Sequence, residues 1–145
     1  MKIGFIGIGA MGSHMSVNLL QAGYDVTVYD MRRDAMKYPM QFGANLGNSP
    51  SEIAQSSEIV ITSLPGPVAL EDVVLGEHGV FKSVQSGCTL IDTSTVSPST
   101  IRKIAGVLKE RGVDVLEAPV SGGVEGAKSG TLTIMVGGTV NLFNR

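Results

Sequence analysis

The sequence predicts an α/β protein in which a mainly parallel, doubly wound sheet lies between two layers of helices. Three observations carry this. Short apolar runs recur without alternation at Ile3–Ile6, Val26–Tyr29, Ile59–Leu64, Leu90–Ile91 and Val113–Leu116. Strands covered by helices on both faces have this pattern. Segments with helical spacing and cap signals separate the runs. A glycine turn, Gly7-Ile8-Gly9-Ala10-Met11-Gly12, joins the first run directly to the first helical segment. Strand and helix therefore alternate, and the crossovers are expected to be right-handed.

The elements follow in order. Met11, Met15, Leu19 and Ala22 fall at helical spacing after the turn, and Gly23 stops the helix. A second helix over 32–42 is expected to be kinked or shortened by Pro39. Ser49-Pro50-Ser51-Glu52 predicts a helix start: Ser49 caps, Pro50 suits the first helical position, and Glu52 reaches back in a capping box. Another helix follows Pro67. The clearest runs from Ser97 to Arg111, with Ile101, Ile104, Ala105 and Leu108 on one stripe and Gly112 beyond its end. Then come a loop at 118–123, a short helix at Val124–Ser129, a final strand at Thr131–Val136 closed by Gly137-Gly138, and the start of another helix at Val140–Arg145.

Bulk properties narrow the function. The 145 residues favour one domain, and no linker, repeat or low-complexity stretch divides them. The 11 basic and 13 acidic residues are mixed along the chain, giving a net charge of −2 with no basic block for nucleic acid or an anionic membrane. No apolar stretch approaches the ~20 residues of a membrane span. The apolar start is cut by Gly4, Gly7 and Gly9, unlike a signal peptide. The single cysteine, Cys88, excludes an intrachain disulfide and fits a reducing, cytoplasmic location.

The glycine turn carries the chemistry. The spacing GxGxxG between a strand and a helix is the dinucleotide-binding fingerprint of Rossmann-type folds. Gly7 permits the tight turn, Gly9 lets backbone approach a pyrophosphate, and Gly12 lets helix and strand pack closely. The pyrophosphate then meets the unpaired N–H groups and positive dipole end of the helix. Asp30 closes the second run about 20 residues past the turn, where a carboxylate accepts hydrogen bonds from the adenosine ribose. Its charge favours NAD. Arg32 and Arg33 favour the 2′-phosphate of NADP, so NAD is the first expectation and NADP the second.

Three further loops follow strand runs, where ligands of open α/β sheets bind. Leu64-Pro65-Gly66-Pro67 should flank the cofactor. Asp92-Thr93-Ser94-Thr95 offers hydroxyls to the nicotinamide or its ribose, or serves as a capping loop. Ser121-Gly122-Gly123 offers a hydroxyl and backbone N–H groups to a carboxylate, or is a flexible loop. His14 and His78 lack a well-spaced carboxylate and are read as solvated or structural. No cluster has metal-ligand spacing.

Taken together, Gly7-x-Gly9-x-Met11-Gly12, Asp92-x-Ser94-Thr95, and Ala118-Pro119-Val120-Ser121-Gly122-Gly123 continuing through Gly130-Thr131-Leu132-Thr133-Ile134-Met135-Val136-Gly137-Gly138 resemble the β-hydroxyacid dehydrogenase family. That family includes 3-hydroxyisobutyrate dehydrogenase, tartronate semialdehyde reductase and, more distantly, 6-phosphogluconate dehydrogenase. The resemblance implies that the turn from Gly7 and Ile8 through Ala10, Met11 and Gly12 holds pyrophosphate. It implies that Leu64, Pro65 and Thr95 contact the cofactor, and that Ser121, Gly122 and Gly123 hold a substrate carboxylate. Met31, directly after Asp30, is where NADP-using members carry arginine, which supports NAD. The implied reaction moves hydride between nicotinamide and a small 3-hydroxy acid or its semialdehyde.

The resemblance also implies a division of the chain. Residues 1–138 would form the dinucleotide-binding domain, and 139–145 would begin a connecting helix. The family's helical domain, with its catalytic lysine and dimer contacts, would lie beyond Arg145. On this expectation the chain binds cofactor but is inactive alone, and a homo-oligomer is possible. The alternative is a non-catalytic NAD(P)-binding sensor or interaction module.

Overall fold

A computed structural model describes residues 1–144. Its main sheet is six-stranded and parallel throughout. The strands are β1 (Lys2–Ile6), β2 (Asp25–Tyr29), β3 (Asn45–Leu46), β4 (Ile59–Thr62), β5 (Thr89–Asp92) and β6 (Asp114–Glu117), in the order β3-β2-β1-β4-β5-β6. The chain winds outward from β1 in one direction, returns, and continues from β4 in the other. The reversal between β1 and β4 opens a crevice at the carboxyl ends of those strands.

β1 shows why the strand runs lack alternation. Ile3 and Phe5 pack with Val26, Val28 and Met36 on one face, while Ile6 joins Ile53, Val60 and Leu90 on the other. Gly4 lies on the Ile6 side, where a Cβ would collide with Ile53. The first face is covered by α1 (Gly12–Gln21), with α2 (Lys37–Met40) beside it. The second is covered by α3 (Pro50–Ser56), α4 (Pro67–Leu75) and α5 (Pro98–Lys109). Ile101, Ile104 and Leu108 of α5 are buried, as the predicted stripe requires.

Four expectations need correction. The segment 32–42 divides into a 3₁₀ turn at Arg33–Met36 and the single turn of α2, which contains Pro39. Glu52 reaches one residue further back than a capping box. Ser49 Oγ accepts the Glu52 N–H (3.1 Å), but Glu52 Oε2 accepts the Asn48 N–H (2.9 Å) because Asn48 precedes the cap in the same turn. Residues 118–123 are not wholly loop, since Val120–Ser121 forms β7.

The fourth concerns Thr131–Val136, which does not join the main sheet. Only Thr133–Ile134 is extended, as β8, and it pairs antiparallel with β7 outside the main sheet. Glu117 and Gly137 exchange backbone hydrogen bonds (3.0 and 2.7 Å), so the chain runs antiparallel to the end of β6 and cannot continue the parallel ladder. Between β7 and β8 lies α6 (Gly123–Ser129), and after β8 comes α7 (Val140–Phe143), capped by Thr139. Arg145, the last residue of the expected terminal helix, lies outside the described residues. The two-residue edge strand β3 and a 3₁₀ turn at Val80–Lys82 were not anticipated.

Candidate active site

The parallel sheet places every predicted loop at one edge: the glycine turn after β1, Asp30 after β2, Leu64 after β4, Thr95 after β5 and Ser121 after β6. Hydrogen bonds stitch these ends together. Gly7 N–H donates to the Tyr29 carbonyl (2.9 Å), Ser63 N–H to Ile6 (3.0 Å), Thr93 N–H to Thr62 (2.9 Å) and Ala118 N–H to Asp92 (2.7 Å).

Each glycine of the turn has a separate structural reason. Gly7 has φ +96°, and a Cβ there would collide with the Ser63 carbonyl. Gly12 starts α1 so close to the turn that a Cβ would strike the Gly7 carbonyl oxygen. Gly9 differs. It is not among the positive-φ residues, and a Cβ would meet no atom within 4 Å. Neither backbone conformation nor packing within the protein calls for glycine there. The space above Gly9 opens outward, as a backbone-binding ligand requires.

The donors at this point are also free. Met11 caps α1 without a side-chain hydrogen bond, and the first helical bond is from Ser13 N–H to the Gly9 carbonyl (3.0 Å). Among the described residues, the N–H groups of Ala10, Met11 and Gly12 have no acceptor. Ile8 contributes differently. Its side chain is in the core, and its N–H donates to Asp30 Oδ2 at 2.8 Å.

Asp30 is thus a builder of the turn as well as a candidate ribose ligand. Its Oδ1 accepts the Arg32 N–H (2.8 Å) and lies 3.5 Å from Arg32 Nε. Each oxygen keeps a lone pair for a further donor. The Arg32 side chain is 69% exposed, so this contact leaves it largely in solvent. Asp34 and Lys37 form a separate exposed pair. A hydrogen bond and the opposite charge of Lys37 hold the Asp34 carboxyl below its usual range, and Asp34 raises the lysine in return.

The loop after β4 is half-buried at Leu64 and exposed at Pro65; after β5, Thr95 is exposed. Between them lies a buried cluster that residue spacing alone did not reveal. Asp92 is fully buried, and its Oδ1 accepts the hydroxyls of Thr62 and Ser94, each at 2.7 Å. Ser94 Oγ in turn accepts the Leu64 N–H at 2.9 Å. The available signal was positional: a carboxylate directly after one predicted strand, Leu90–Ile91, and a threonine within another, Ile59–Leu64.

Ser121, Gly122 and Gly123 are exposed. Gly122 and Gly123 have φ of +136° and +63°, turning the chain from β7 into α6. Asn18 Nδ2 of α1 donates to the Ala127 carbonyl of α6 (2.7 Å), which holds this loop's helix against the helix of the glycine turn. His14 packs edge-on against Tyr38, with ring centroids 5.5 Å apart, and Cys88 is buried. Lys128 is exposed on the last turn of α6, and Lys103 is paired with Glu71 at 2.6 Å. Among the described residues, no group of His, Cys, Asp and Glu is placed to hold a metal, and no helix is long and apolar enough to cross a membrane.

A glycine turn opening a helix at the reversal of a parallel sheet, with a carboxylate at the next strand end, defines a Rossmann-type nucleotide-binding unit. Comparison with known proteins narrows this. The profile of the NAD-binding domain of 6-phosphogluconate dehydrogenase matches residues 2–145, and the chain belongs to that family. It is 42% identical over 142 residues to a probable mitochondrial 3-hydroxyisobutyrate dehydrogenase of Dictyostelium discoideum, covering 98% of this chain and 44% of the relative. It is 40% identical over 144 residues to an NAD-dependent L-serine dehydrogenase of Pseudomonas aeruginosa, covering 99% of this chain and 48% of the relative. The fold superimposes with a TM-score of 0.92 on 3-hydroxyisobutyrate dehydrogenase of Mycobacterium tuberculosis with L-serine, at 33% identity, covering 99% of this chain and 48% of that one. The chain thus spans less than half the length of these relatives and corresponds to the NAD-binding domain that the family profile describes.

Proposed function

We propose that the chain holds NAD across the carboxyl ends of β1, β2, β4 and β5 for hydride exchange with a small 3-hydroxy acid or its semialdehyde. The observation that carries this is Gly9, a glycine that no neighbour or dihedral requires, below three N–H groups without acceptors. A pyrophosphate suits that arrangement, because unpaired N–H groups at a helix N-terminus favour an anion. In this reading Ala10, Met11 and Gly12 bind phosphate oxygens through their N–H groups, and Asp30 binds the adenosine ribose with its remaining lone pairs. Leu64, Pro65 and Thr95 border the nicotinamide. When bound, the nicotinamide supplies the hydride donor or acceptor.

The Ser121-Gly122-Gly123 loop holds the substrate carboxylate, and the tie from Asn18 to α6 keeps that loop beside the cofactor helix. The acid–base step needs a proton donor at the carbonyl oxygen. The exposed Lys128 and the paired Lys103 are not arranged for it. Residues 1–138 form the nucleotide unit in this account, and α7 follows it, in contact with β6. A cytoplasmic setting agrees with the lone buried Cys88. NADP is the second-choice cofactor because Arg32 stands beside the ribose position. Self-association would cover Ile134, Met135, Val140 and Phe143, which are exposed.

The test is amide hydrogen exchange on the chain with NAD, then with 3-hydroxyisobutyrate or L-serine added. NAD should protect residues 9–12. The acid should add protection at 121–123 only when NAD is present. No protection at 9–12 with NAD, or protection confined to segments away from the glycine turn and the Asp30, Leu64 and Thr95 loops, contradicts the reading, and so does protection at 121–123 by the acid without NAD.

A further inference from the structure

Asp92 has no part in the nucleotide contacts above, yet it is the most completely buried carboxylate at the site edge. Its surroundings are polar and ordered: Thr62 is 0%, Ser94 4% and Thr93 7% exposed. Oδ1 accepts from Thr62 Oγ1 (2.7 Å), Ser94 Oγ (2.7 Å) and the Ser94 N–H (3.3 Å). Oδ2 is buried without a hydrogen-bond partner among the described residues. A buried oxygen of this kind is costly, and folds keep such groups where geometry matters more than stability.

The bonds show what is gained. Asp92 Oδ1 holds the Ser94 hydroxyl hydrogen, which leaves a Ser94 lone pair aimed at the Leu64 N–H. The same carboxylate fixes Thr62, whose carbonyl accepts both the N–H (2.9 Å) and the hydroxyl (2.7 Å) of Thr93. The Asp92 carbonyl accepts the Ala118 N–H on the strand end leading to Ser121. One residue therefore connects the loops that carry Leu64, Thr95 and Ser121, and it does so from beneath, out of a ligand's reach.

We infer that Asp92 is a positioning residue that sets the Leu64-Pro65 and Ser94-Thr95 loops against the nicotinamide half of the dinucleotide. The inference rests on the NAD-binding reading. It predicts a split effect. The adenosine diphosphate half is held at the glycine turn and Asp30, which share no hydrogen bond with Asp92. Only the nicotinamide half depends on the Asp92 network.

The experiment titrates the 145-residue chain with NADH and separately with ADP-ribose, following affinity and the fluorescence of bound reduced nicotinamide. Asp92→Ala should weaken NADH about tenfold, the equivalent of about 1.4 kcal/mol, and remove the fluorescence change, while ADP-ribose affinity stays within about twofold. Asp92→Asn, which keeps an acceptor oxygen for Thr62 and Ser94, should restore most of the NADH affinity and the signal. If Asp92→Ala does not fold, Ser94→Ala provides the same test, because it removes the acceptor of the Leu64 N–H while Asp92 Oδ1 keeps the Thr62 hydroxyl and the Ser94 N–H. Equal losses for NADH and ADP-ribose, no loss for either, or failure of Asp92→Asn to recover would overturn the positioning role. A folded wild-type chain that binds neither ligand would instead overturn the nucleotide reading.

Discussion

Gly9 and Gly12 are three residues apart in one motif, and the structure assigns them opposite sensitivities. In Gly9→Val the new Cβ meets no atom within 4 Å and the backbone is not in the left-handed region, so the side chain enters open space. Such a change alters stability by no more than about 0.5 kcal/mol. It does, however, stand where a pyrophosphate would approach. Losing one charge-assisted hydrogen bond costs about 1.5–3 kcal/mol, so ADP-ribose affinity should fall roughly 10- to 100-fold. In Gly12→Ala the Cβ strikes the Gly7 carbonyl, a backbone atom that cannot rotate away, and lies 3.0 Å from Phe5 Cε1. Overpacking against such neighbours costs about 1–3 kcal/mol, or roughly 3–10 °C in Tm for a chain of this size. Thermal unfolding and calorimetric titration of both variants decide the matter. A Gly9→Val protein that binds ADP-ribose like wild type refutes the reasoning, and so does a Gly12→Ala protein of unchanged Tm.

Other outcomes follow from single contacts. Arg32→Ala should weaken NADPH several-fold and leave NADH nearly unchanged, because the arginine side chain lies beside Asp30 and is mostly exposed; paired titrations measure this. Asn18→Ala removes the part-buried bond to Ala127, should cost about 1 kcal/mol, and should speed amide exchange across 123–129 more than in the main sheet. Ser49→Ala removes the cap of α3 and should lower stability by about 1 kcal/mol in denaturant unfolding without changing nucleotide affinity.

Local order was legible where local physics decides it. β1, β2, β4, β5 and β6 follow from their apolar runs, and α3 and α5 begin where Ser-Pro pairs place them. Thr131–Val136 misled because its composition suits a sheet; the Glu117–Gly137 pairing that folds it into a hairpin is a tertiary contact. The two residues of β3 carry no apolar run, so only their pairing with Thr27 and Val28 reveals them. The site divides in the same way. Gly7, Gly9, Gly12 and Asp30 were recognisable from spacing. The bond from Ile8 to Asp30 and the Thr62–Asp92–Ser94–Leu64 network were not, because they join residues of different strands that only the sheet order brings together.

The central claim is that the turn above α1 holds a dinucleotide, with Asp30 favouring NAD. Calorimetric titration of the chain with NADH and with NADPH tests it most directly. The account predicts one site per chain and tighter binding of NADH. A folded protein that gives no binding with either nucleotide contradicts the claim, and a clear preference for NADPH contradicts the role given to Asp30.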